Sequence, residues 1–218
     1  MAKIINGVLG AFSGVVGPVV GAVVRGVATI RSKPKKSTKP AKESQIQQRT
    51  KFGLATKFIK GMKRVVDVGF QSYSKKMSPS NAAVQDVLTN AIVGVAPNYN
   101  IDFPNVTLSK GSLYDSFTLK VNPPLPDLEL LFTWNPAELP AEEALLYAND
   151  RISLVLYDEV SHRFVALIGA AARSVGTYQL SVPFSFEGAQ LHTWAFFVSA
   201  DGKAVSNSQY LGLVTPTM

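Results

Sequence analysis

Eight short runs rich in β-branched and aromatic residues fill the chain from Val106 to Val214. They read VTLSKG, SFTLKV, LELLFTW, RISLVLY, RFVALIGAA, TYQLSVP, HTWAFFVSA and SQYLGLV, and most are set apart by turn residues such as Pro123-Pro124, Asn135-Pro136, Glu187-Gly188 and Asp201-Gly202. Runs of this length, closed so often by Gly, Pro and Asn, predict an antiparallel β-sandwich of seven or eight strands. Asp201-Gly202 carries the strongest hairpin signal, because a two-residue turn needs positive φ that Gly supplies without strain. Trp134, Trp194 and Phe196 are the expected aromatic core of this sandwich, with Val198 on the same face of its strand as Trp194 and Phe196.

The residues before it have a different period. From Ser44 to Tyr73, Phe52, Ala55, Ile59, Met62 and Val66 recur at steps of three and four, which draws one apolar stripe along a helix. Gly53, Gly61 and Gly69 weaken that helix and leave room for a break. A second helix is predicted from the Ser78 cap and Pro79 at the first position to Gly94 as its left-handed end.

The first forty-three residues form neither pattern. Residues 4–24 are uncharged and about long enough to span a bilayer, and Lys3 ahead of them mimics a signal peptide. Five glycines and Pro18 make this run a poor helix, so a strand-forming arm is the preferred reading. Within it, Val19, Val20, Val23 and Val24, then Arg25-Gly26, then Val27 and Ile30 read as a hairpin whose tip is Arg25-Gly26. Arg31, Lys33, Lys35, Lys36, Lys39 and Lys42 follow in a basic linker that Pro34 and Pro40 keep irregular. No cleavable signal is read, so the chain is expected to be made in the cytoplasm, with localisation otherwise open.

Charge divides the chain in the same place. Residues 1–77 carry sixteen Lys and Arg against two acids, and residues 78–218 carry six against thirteen. A division of that size suggests that the two parts meet different partners, or each other in neighbouring copies. Cysteine is absent and His162 and His192 are the two histidines, which removes thiolate chemistry and leaves little for a metal. The doublets Glu142-Glu143 and Asp158-Glu159 put neighbouring side chains on different faces and make no acid/base pair. No phosphate-binding glycine loop occurs in a strand–helix context. The reading is of a chain that is no enzyme and takes no cofactor or metal.

Two resemblances sit on these residues. FTWNP, Phe132 to Pro136, followed by TWAFFVSADGKAVSNS, Thr193 to Ser208, resembles a fibronectin type III or immunoglobulin-like domain, and the resemblance implies that Trp134 packs in its core. MAKIINGVLGAFSGVVG, VVRGVATIRSKPKKSTKP, QQRTKF, SPSNAAVQDVLTNAIVG and VSADGKAVSNSQYLG together resemble a bacterial protein family of unknown function, whose members tend to carry Trp-Lys-Gly where this chain has Val24-Arg25-Gly26. This second resemblance implies no catalytic or ligand residue.

The expected architecture is therefore α+β: a glycine-rich β-hairpin arm with a basic linker over 1–43, a helical pair over 44–98, and an immunoglobulin-like sandwich over 99–218. The expected function is that of a structural subunit of a filament or particle, its partner a second copy of itself joined head-to-tail through the arm. Two further readings stand beside it. One is an architectural protein that binds nucleic acid through its basic part. The other is a membrane-active or adhesive protein using residues 4–24, with membrane contact ranked last.

Overall fold

The computed structural model describes residues 3–4, 10–24, 26–35, 38–73, 77–122, 126–138 and 140–218. The chain divides into two compact units, Met1–Lys42 and Glu43–Met218.

In the first unit, β1 (Lys3–Ile4), β2 (Phe12–Val16), β3 (Val19–Val24) and β4 (Val27–Ser32) pair in chain order as an antiparallel meander. The predicted hairpin is joined by strands ahead of it. β3 and β4 run from Val19↔Ser32 to Val24↔Val27, leaving a two-residue connection in which Gly26 has φ 79°. Arg25 lies outside the described residues, as does Lys36.

The second unit opens with α1 (Glu43–Gly61), α2 (Lys63–Gly69) and α3 (Pro79–Asn90). The single helix expected over 44–73 breaks at Met62, between Gly61 and α2. Its buried stripe holds Ala55, Ile59, Met62 and Val66 as the spacing requires, but Phe58 takes the place of Phe52, which is 51% exposed. Ser78 caps α3 by accepting a hydrogen bond from Asn81 N, with Pro79 at the first position. Gly94 does not end that helix. It lies in β5 (Ile92–Val95), which pairs with β6 (Asn98–Ile101) in a hairpin the sequence did not announce.

The remaining elements are β7 (Lys120–Val121), β8 (Glu129–Thr133), the short helix α4 (Ala141–Tyr147), β9 (Arg151–Asp158), β10 (Arg163–Ala172), β11 (Thr177–Ser181), β12 (Leu191–Val198) and β13 (Gln209–Val214). Among the described residues they form two antiparallel sheets, ordered β10-β9-β12-β13 and β11-β8-β7. The architecture is mixed α+β, as expected. Two of the predicted strands are changed. Residues 106–111 form no strand: Leu108 N donates to Ser208 Oγ, Lys110 N to Gly69 O, and Ser208 N to Ser109 O. Their backbone is satisfied by a helix end and a loop instead of a ladder. The run 116–121 is reduced to Lys120–Val121, because the Glu138 carboxylate binds Phe117 N and the hydroxyls of Ser116 and Thr118.

The four-stranded sheet is covered on both faces, and alternation decides which residue faces which way. Ile152, Leu154 and Leu156 of β9 and Ala195 and Phe197 of β12 pack with Leu130, Phe132 and Leu180 of the three-stranded sheet. Val155 and Tyr157, with Trp194, Phe196 and Val198, pack against α1, α2 and α3. The helices and the sheet thus share one core. The outer strands of the four-stranded sheet are interrupted: β10 shifts register between Leu167 and Ala171, and β13 is bulged beside Gly212, whose φ is 98°.

Candidate functional site

The arm residues of the sequence reading come together in the meander. Register places Phe12, Val16, Val19, Val23 and Ile30 on one face, and Val15, Val20, Ala22, Val24 and Val27 on the other. Each face therefore has an apolar majority, interrupted by Ser32 on the first and by Ser13, Thr29 and Arg31 on the second. Yet every residue of β4 is exposed, Val27 by 62% and Ile30 by 67%. A contact within the sheet is Phe12 over Gly21: a Cβ at Gly21 would stand 2.5 Å from the Phe12 ring. Arg31 is exposed within β4, and Lys33, Lys35, Lys39 and Lys42 are exposed beyond the sheet.

The expected core residues separate into two groups. Trp134 is buried between the sheets, donating from Nε1 to Arg173 O at 2.6 Å and meeting Phe197 edge-on at 6.0 Å. Trp194 and Phe196 are also buried, but on the helix-facing side of β12 rather than between the sheets. Beside Trp134, Arg173 lies 3.8 Å from the centre of the Phe197 ring, and donates to Tyr114 O at 2.7 Å. Its partner Asp150 stands 3.9 Å away, and both side chains are buried. Burial pushes the Asp150 carboxyl up, and Arg173 opposes that. The pair closes one end of the inter-sheet core.

A cleft that sequence reasoning missed lies at one end of β9, with His162 in its lining and His192 outside it. Its walls come from α1, β6 and the β9–β10 turn, and it encloses about 340 Å³. Tyr157, at the end of β9, forms a hydrogen bond with His162 Nδ1 at 3.1 Å, and its phenol is raised by burial. His162 is held in the turn at φ 55°. Behind Phe103, His192 stacks at 3.9 Å between ring centres, shares a hydrogen bond with Tyr210 OH at 2.8 Å, and has Nε2 3.8 Å from Glu159. Burial lowers the His192 pKa and Glu159 opposes it, which favours neutral imidazole. The Asp158 carboxylate fixes the turn by accepting from Val160 N and Ser161 N at 2.9 and 3.3 Å. Burial alone would raise the Asp158 pKa, but those bonds and the Ser161 hydroxyl hold it below the usual carboxylate range. The lining residues lie on separate elements from Leu54 to Phe164, so no local motif could have marked them.

Among the described residues no group of three or more acidic or imidazole side chains could hold a metal, and no helix is long and apolar enough to cross a membrane. The chain belongs to DUF6266, a family of unknown function, which it matches over residues 11–212. No curated protein matches it. Among solved structures it is similar to the chicken interferon gamma receptor alpha chain, with 14% identity and a TM-score of 0.37. That similarity covers 58% of this chain and 64% of the receptor chain, so less than two thirds of the receptor chain is spanned.

Proposed function

We propose that this member of DUF6266 is a structural subunit that assembles with copies of itself through its N-terminal meander, on a body whose two sheets form an immunoglobulin-like sandwich. The observation that carries the reading is a sheet largely apolar on both faces whose last strand, β4, is exposed along its whole length. Such a surface is an aggregation hazard on a solitary molecule, and burial in a neighbour removes it. The β4 edge, with one side unpaired among the described residues, can also extend a ladder in a second copy. Head-to-tail contact has a seat of the right chemistry: Leu145 and Leu146 of α4 are each 77% exposed and follow Glu142 and Glu143, an acidic and apolar complement to the basic linker and the meander.

Deleting residues 1–42 is expected to leave a folded, monomeric body while the full chain is oligomeric. Gly26→Val, at a φ of 79° that a β-branched residue resists, is expected to weaken assembly without unfolding the body. Light scattering decides it, and equal masses for the truncated and full chains would overturn the reading. Nucleic-acid binding is the second reading, favoured by the exposed Arg49, Lys57, Lys60, Lys63 and Arg64 of α1 and α2. A tight complex with DNA or RNA whose affinity falls steeply with salt would reverse the order.

A further inference from the structure

We propose that the cleft between α1 and the β9–β10 turn binds a small organic anion, a flat apolar body carrying one carboxylate. The inference stands apart from the assembly reading, since every residue it uses lies in Glu43–Met218.

The floor is aromatic. Phe58, Phe103 and Tyr157 are buried there, with ring centres 5.2 to 6.0 Å apart, and Phe164 stands half-exposed at the side. Such a floor takes a planar apolar group edge-on or in offset stacking. The polar groups lie around it. Lys57 has no hydrogen-bond or ion-pair partner among the described residues, although it lines the cleft. The Asn100 amide also lines it, and His162 engages Nδ1 with Tyr157, which leaves Nε2 for a ligand. Glu159 is the one carboxylate in the lining; its side chain is 63% exposed and lies 3.8 Å from His192 Nε2. The one ammonium or guanidinium group in the lining is that of Lys57, which fits one carboxylate and not the several donors that a phosphate group takes.

Size and rigidity agree. About 340 Å³ falls at the lower end of the range of small-molecule pockets, roughly 300–1,000 Å³. The Asp158 hydrogen bonds hold the turn that carries His162, so this wall is formed before any ligand arrives. Gly61 completes the lining with no side chain, and a Cβ there would meet Phe164 at an ordinary 3.7 Å. A larger residue at 61 can occupy the cleft without straining the backbone.

Naphthalene-2-carboxylate is a suitable probe, titrated calorimetrically into the full chain, with 2-naphthalenemethanol as the neutral control. Saturable binding of one carboxylate per chain is expected, with the alcohol about tenfold weaker, the loss that one charge-assisted hydrogen bond accounts for. Lys57→Gln is expected to bring the carboxylate down to the level of the alcohol. Gly61→Leu is expected to abolish binding of both while the melting temperature does not fall. Absence of saturable binding, equal affinity for acid and alcohol, or undiminished binding by Gly61→Leu would each overturn the proposal.

Discussion

Trp134→Ala is expected to destabilise the Glu43–Met218 unit by about 3–5 kcal/mol, the usual cost of truncating a large buried aromatic. The ring fills the space between the two sheets, so its loss opens a cavity that Phe132 and Phe197, themselves fully buried, have little freedom to fill. The substitution also removes the donor that satisfies Arg173 O at 2.6 Å, in the same chain segment whose guanidinium closes the core beside Asp150. Trp134→Phe keeps most of the apolar area and loses the Nε1 bond, so a smaller cost of about 1–3 kcal/mol is expected. Urea unfolding of both variants measures the difference. A loss below about 1 kcal/mol for the alanine variant would mean that the ring does not hold the sheets together.

The second large effect separates two glycines that look alike in the sequence. Gly53 and Gly69 both interrupt a helical pattern. Gly53 lies in the interior of α1 with no heavy atom near the position of a Cβ, so Gly53→Ala is expected to stabilise the protein by about 0.5–1 kcal/mol. At Gly69, the last residue of α2, a Cβ would stand 2.1 Å from Leu108 O and 2.9 Å from Ser109 Cα. Backbone cannot swing aside as a side-chain tip can. Gly69 O also receives Lys110 N at 2.9 Å, so separating the two segments breaks that bond as well. Gly69→Ala is therefore expected to cost at least about 1–3 kcal/mol. Thermal melts of the two variants should shift in opposite directions, and a shift in the same direction would show that helix propensity alone governs both sites.

That contrast marks how far the sequence could be read. Helix and strand periods placed α1, α3 and β9 to β13 close to where they lie, because each element's own burial pattern writes its period into the chain. The cap at Ser78 and the paired valines of β3 and β4 were legible for the same reason: their partners are local. What was hidden depends on distant backbone. Residues 106–111 alternate well enough for a strand, yet Gly69 and the loop at 205–208 take their hydrogen bonds. Trp194 and Phe196 read as sandwich core because they are large, apolar and alternating. Nothing in β12 says that helices cover that face. Periodicity assigns residues to faces and does not name what lies opposite. The cleft was illegible for a related reason, since Lys57, Asn100 and His162 become neighbours only when α1, β6 and the β9–β10 turn are packed.

The interruptions in β10 and β13 bear on how copies would join under the proposed assembly. A ladder cannot propagate smoothly past a bulge, so the four-stranded sheet resists edge-to-edge growth. If subunits join through strands of the meander, as proposed, its outer strands β1 and β4 are the edges that can take part. An element with two edges has a valence of two. Chains or closed rings can form from such a joint, and branched networks cannot.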